Sequence, residues 1–155
     1  MLPFLIGIGM AAAELSNYFL DEHRLVKAVR DGARYAARQD FSNYPTPCPS
    51  APSNVGSTLA AQVKQIVRTG QVSGGTDKLA NWSGATFSVQ YFCNLNSVYG
   101  GQTLTGIYAV HNTGNAPVVI VTATLPYQTI ALSNFGFSAK GYSLYAQQQA
   151  PVVGI

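Results

Sequence analysis

The sequence predicts an α+β chain. A long N-terminal helix, read as transmembrane, carries a small head in which a short helix packs on an antiparallel sheet of about four strands. Three observations predict it. The first forty residues join an uncharged apolar run to apolar residues at three- and four-residue steps. A Pro-rich stretch, Tyr44-Pro45-Thr46-Pro47-Cys48-Pro49, then stops that pattern. From Thr86 onward, segments rich in β-branched and aromatic residues alternate with Gly- and Asn-containing turns. The division that follows is 1–39 for the helix, 40–56 for a connector and 57–155 for the head.

Residues 2–13 hold no charge, and the mostly apolar stretch continues to Leu20, interrupted by Glu14, Ser16 and Asn17. A spanning helix needs roughly 20 apolar residues, so a borderline membrane span with one carboxylate inside it is the expectation. Pro3 is harmless in a first turn, where its missing N–H has no partner. Past Leu20 nothing breaks the helix: Leu25, Val29, Gly32, Ala33 and Ala36 form a narrow face of small and aliphatic residues. Beside it Arg30, Arg34 and Arg38 form a basic stripe, mildly unfavourable at that spacing. The helix is expected to reach about Gln39, roughly 55 Å at 1.5 Å per residue. A competing reading is a signal peptide cleaved near Ala11-Ala12-Ala13. Against it, Met1-Leu2-Pro3 carries no basic n-region.

In the head, Ser57 is expected to cap a short helix with Leu59, Val63, Ile66 and Val67 on its apolar stripe, and Gly70 to close it. Strands are expected over Thr86–Cys93, Thr103–Val110, Val118–Leu125 and Ser138–Gln147, the last with Tyr142, Leu144 and Ala146 on one face. Turns fall at Tyr99-Gly100-Gly101 and across residues 112–117. Cys48 and Cys93 are the two cysteines. In an exported head they form one disulfide; in a reducing compartment they stay free thiols.

Charge and motif content bound the chemistry. Charged residues make up 10% of the chain, against roughly 25% in typical soluble domains. Ten of the fifteen charged side chains lie between Glu14 and Asp40. A net charge of +3 is too small to suggest nucleic acid as a partner. The head holds one acidic residue, Asp77, and one histidine, His111. It therefore offers no carboxylate pair, and no Gly-x-Ser-x-Gly elbow accompanies that histidine. No cysteine and histidine spacing fits a zinc site, and no glycine pair opens a helix after a strand as a phosphate loop does. No cofactor, metal or enzymatic activity is expected. Asn81-Trp82-Ser83 fits a glycosylation sequon, a short pattern that arises by chance.

Two stretches carry a family resemblance. The apolar run with its proline and glutamate, followed by Ala28-Val29-Arg30-Asp31-Gly32-Ala33-Arg34-Tyr35-Ala36-Ala37-Arg38, resembles the TadE-like proteins. These are minor pilins or pseudopilins of the tight-adherence (Flp, type IVc) pilus machinery. Val118–Gln128, ending Leu125-Pro126-Tyr127-Gln128, resembles that family's strand and its Tyr-Pro-Tyr-like turn, with Leu125 where an aromatic is commoner. The resemblance implies a subunit in the assembly of a pilus or related secretion apparatus, partnered by other pilin subunits, the assembly machinery and the inner membrane. It also implies a single-pass bacterial inner-membrane protein with a periplasmic head, which can be incorporated in an extracellular pilus.

One departure stands out. The family's prepilin-peptidase site, a basic leader ahead of a Gly and a Glu-Phe pair, is absent before Pro3. Either a leader lies upstream of Met1, which would also relieve the conflict between a cationic helix and an outside head, or this member is not processed. Glu14 matches a mid-helix acidic position. It is expected to meet a neighbouring subunit's cationic or amide group, or else to be protonated or to snorkel. The arginine stripe meets anionic headgroups or acidic partners, or is a plain solvated face. The second functional reading is an adhesive or carbohydrate-binding envelope module on a membrane anchor.

Overall fold

The computed structural model describes residues 2–93, 105–110, 116–130 and 141–154. Helix α1, Leu2–Ala37, spans 36 residues. It stops close to the expected place. Arg38 N–H donates to Tyr35 O at 3.2 Å and Gln39 N–H to Ala36 O at 3.0 Å, the tightened bonds that close a helix end. The Asp40 carboxylate then accepts from Ser42 N at 2.7 Å and starts a 3-10 turn over Phe41–Asn43.

The expected membrane span is corrected. Among the described residues no helix is long and apolar enough to cross a membrane, which overturns the single-pass inner-membrane placement with a periplasmic head. The uncharged run ends at Ala13. Glu14, Asn17, Asp21, Glu22 and Arg24 follow within three turns, leaving well short of the roughly 20 apolar residues a span requires.

Helix α2, Ser57–Thr69, buries Leu59, Val63, Ile66 and Val67, as the stripe predicts. Its N-cap is Gly56, not Ser57, and no side chain caps it. Gly56 holds the extended cap conformation, while its carbonyl accepts from Ala60 N at 3.0 Å. Ser57 thus becomes the first helical residue. At the other end Gly70 adopts φ 81° and its N–H donates to Ile66 O, the left-handed closure that favours glycine.

The sheet contains β1 (Ser53–Asn54), β2 (Thr86–Phe92), β3 (Val118–Pro126) and β4 (Ser143–Pro151), in that spatial order and antiparallel throughout. The count of four strands holds, but one member changes. Thr103–Val110 is not a strand: Gly106 takes φ 75° and Ile107–Val110 turns into one helical turn, α3. Residues 103–104 lie outside the described residues, as do His111, both turn stretches at 99–101 and 112–115, and 138–140. The connector supplies the missing strand, because Ser53 pairs with Tyr91 and Asn54 with Gln90. The last strand begins at Ser143, after Gly141 at φ 102°. Leu144 and Ala146 point inward as expected, whereas Tyr142 precedes the strand and is exposed.

Alternation selects the core face. Val119, Val121, Ala123 and Leu125 of β3 are fully or almost fully buried, flanked by Val89 and Tyr91 on one side and Leu144 and Ala146 on the other. Against this face lies the second half of α1, with Leu25, Ala28, Val29, Ala33, Ala36 and Ala37 in the same cluster. Burying one Val or Leu fully contributes about 1.5–3 kcal/mol. The connector is held by three ties. Cys48 and Cys93 form a disulfide with Cα atoms 5.7 Å apart. Cys93 N donates to Pro49 O at 2.7 Å. The buried Tyr44 hydroxyl donates to Ala36 O at 2.5 Å.

Candidate functional site

The functional features gather along α1, which changes character at Glu14. Before it, residues 4–13 touch little of the head: Phe4 is 73% exposed, Leu5 64% and Ile8 52%. The exposed Leu15, Phe19 and Leu20 prolong this apolar surface. Consecutive helical residues point about 100° apart, so Phe4, Leu5 and Ile6 together present apolar side chains around the whole circumference. A helix apolar all round belongs in a buried setting.

Glu14 is the first residue gripped by the head, with 8% of its surface exposed. The Tyr127 hydroxyl donates to its carboxylate at 2.7 Å, and the Ile130 backbone N–H donates to the same oxygen at 3.2 Å. Asn17 Nδ2 donates in turn to the Tyr127 hydroxyl oxygen at 3.1 Å. Tyr18 stacks edge-on against Tyr127 at 5.1 Å, and its hydroxyl donates to Ser143 O at 3.3 Å. Within one chain, then, a phenol and a backbone amide already hold the carboxylate for which the sequence left a neighbouring subunit's group, protonation or snorkelling open. A buried carboxylate is tolerable only when hydrogen-bonded, and this pairing supplies the bonds. Burial pushes the Tyr127 hydroxyl above its ordinary pKa; the Asn17 bond opposes this and the Glu14 carboxylate adds to it. Tyr127 therefore remains a protonated donor near neutrality. An apolar cleft of about 480 Å³ opens beside the latch, between Ala11 and Leu15 of α1 and Thr129 and Tyr142 of the head.

The other residues singled out in the sequence divide between two faces of α1. Gly32 and Ala33 are buried. A Cβ on Gly32 would lie 2.5 Å from Val67 Cγ2 and 3.3 Å from Val63 Cγ1, so glycine permits α2 to cross closely here. Tyr35, one turn on, donates to Gln62 Oε1 at 3.3 Å across the same crossing. Arg30, Arg34 and Arg38 are exposed, and His23 and Lys27 extend their stripe toward the N-terminus. Among the described residues the ion pairs are Arg24–Asp21 and Arg68–Asp77, so this stripe has no acidic partner there.

Sequence reasoning missed Tyr127 as a functional contact, although the Leu125-Pro126-Tyr127 turn had drawn attention to its position. It also missed a polar cluster where α2 meets the 3-10 turn Trp82–Gly84: Arg68 binds Asp77 through two bonds of 3.0 and 2.8 Å. No pattern marks that cluster, because its charged partners stand nine positions apart across the end of α2 and a Gly-containing loop. Among the described residues no group of three or more His, Cys, Asp or Glu side chains is placed to hold a metal ion. No family model, curated protein or solved structure matches this chain.

Proposed function

We propose that the chain is a structural, pilin-like subunit, of the TadE-like kind its sequence resembles, that enters a multi-copy assembly through the leading part of α1. The observation that carries the reading is an all-round apolar helix segment, residues 4–13, projecting from a head whose own core engages only the later part of that helix. One flat neighbour covers one side of such a segment. Several copies packed around a common axis cover all of it, which is how helical filaments use a protruding helix.

Two further features support a passive, structural role. The Glu14–Tyr127 latch fixes the direction in which the segment leaves the head, so every copy presents it alike. The disulfide ties the connector to the end of β2, and the Tyr44 bond ties the same connector to α1. A subunit that bears load through α1 needs that bracing.

The test compares the wild-type chain with a Phe4→Ser/Ile8→Ser variant by light scattering and electron microscopy. Wild type forms concentration-dependent multimers or filaments; the variant stays monomeric with an unchanged melting temperature. Shearing the producing cells adds the biological arm, in which the chain leaves with filaments. A monomeric wild-type chain, together with pili unaltered by its deletion, defeats the reading.

A further inference from the structure

On the side of the head formed by α2 and the 82–84 turn lies a polar cavity of about 410 Å³, lined by Lys64, Arg68, Asp77, Asn81, Trp82 and Ser83. We propose that this cavity binds an acidic saccharide, a carboxylate carried on a hydroxyl-rich ring. The inference does not depend on how the chain assembles.

The lining is rich in donors and carries one surplus positive charge. Lys64 and Arg68 sit one turn apart on α2. Arg68 spends two of its N–H groups on Asp77, while Lys64 has no ionic partner among the described residues. Asn81 and Ser83 add an amide and a hydroxyl beside it. Asn81 is held at φ 66°, the left-handed conformation that asparagine tolerates better than most residues. The floor is Trp82, 7% exposed, with the Arg68 guanidinium 6.0 Å from its ring centroid. Its indole N–H is buried and has no acceptor among the described residues.

Charge arrangement selects the ligand class. A compact, multiply charged anion such as phosphate would face Asp77 as well as the cations. A monoanionic ring avoids that repulsion: its carboxylate meets Lys64, its hydroxyls donate to Asp77 and accept from Asn81 and Ser83. The volume lies within the range of small-ligand sites.

Trp82 is the only tryptophan in the chain, so its fluorescence reports this cavity directly, with calorimetry alongside. The disulfide-intact chain is titrated with glucuronate and digalacturonate, and for comparison with methyl glucoside and inorganic phosphate. A saturable change with the uronates is expected, with the neutral glucoside and phosphate about tenfold weaker or more. Lys64→Met, an exposed position on α2, should weaken uronate binding about tenfold while leaving the far-UV dichroism unchanged; tenfold corresponds to about 1.4 kcal/mol. Absence of saturable binding by both readouts overturns the proposal. So does phosphate binding as tightly as uronate, and so does a Lys64→Met variant that binds like wild type.

Discussion

The two halves of α1 share one unbroken helix and have opposite fates. From Leu25 onward, small and aliphatic residues sink into the sheet and α2, and the charged ones turn outward. Over residues 4–13 the side chains are more apolar still, yet they stay exposed. Hydrophobicity therefore does not decide burial here; the shape of the partner does. Ala28, Ala33, Ala36 and Gly32 let the sheet and α2 approach the trailing half, whereas Phe4, Leu5, Ile6 and Ile8 of the leading half stay more than half exposed. The same helix can thus serve the head's core at one end and an assembly at the other.

The largest effect is expected from the disulfide that ties the connector to the end of β2 in the head that the trailing half packs on. Replacing both Cys48 and Cys93 by serine opens a loop with a sequence separation of 45 and should lower the unfolding free energy by about 4 kcal/mol. Urea titration measures it. Next comes a direct contrast of the two halves. Leu25→Ala, at a fully buried position, should cost about 2–5 kcal/mol. Leu5→Ala should change the stability of the isolated subunit by less than about 0.5 kcal/mol. Equal losses at both positions would break the comparison.

A finer version uses glycines. Gly32→Ala drives a methyl into Val67 and Val63 and should destabilise by about 1–3 kcal/mol. Gly9→Ala meets nothing within 4 Å and should stabilise by about 0.5–1 kcal/mol through helix propensity. Opposite signs in thermal melts would confirm that close approach is confined to the trailing half.

The smallest effect is a pH dependence. Burial raises the pKa of Tyr44, whose hydroxyl bonds to α1 at Ala36. A raised folded pKa gives stability that is fully present below the unfolded value of about 10 and is lost as pH rises toward the folded one. Stability should therefore fall above about pH 10, by at most about 1.4 kcal/mol per pH unit for this group. Tyr44→Phe should flatten that alkaline limb.

Much of this fold could be read in the sequence because its signals are local and periodic. The trailing face of α1, the stripe of α2, the closure at Gly70 and the alternation of Val118–Leu125 each arise within a few turns or strand residues. The failures share a cause as well. Ser53–Asn54 becomes a strand through pairing with a segment nearly forty positions away. Thr103–Val110 had strand composition, but the left-handed Gly106 breaks it. The membrane reading weighed apolar content across the interruptions at Glu14, Ser16 and Asn17, and the uncharged run proved too short.

The sequence by itself determined that α1 is long, that its two halves differ in composition, and that a disulfide was available between Cys48 and Cys93. Only the tertiary structure decided that Glu14 is held by Tyr127 and Ile130, and that Arg68, Asp77 and Trp82 line one cavity. The reason is physical. Periodicity encodes which face of an element is apolar, but polar contacts depend on distances between elements, and no local pattern carries those.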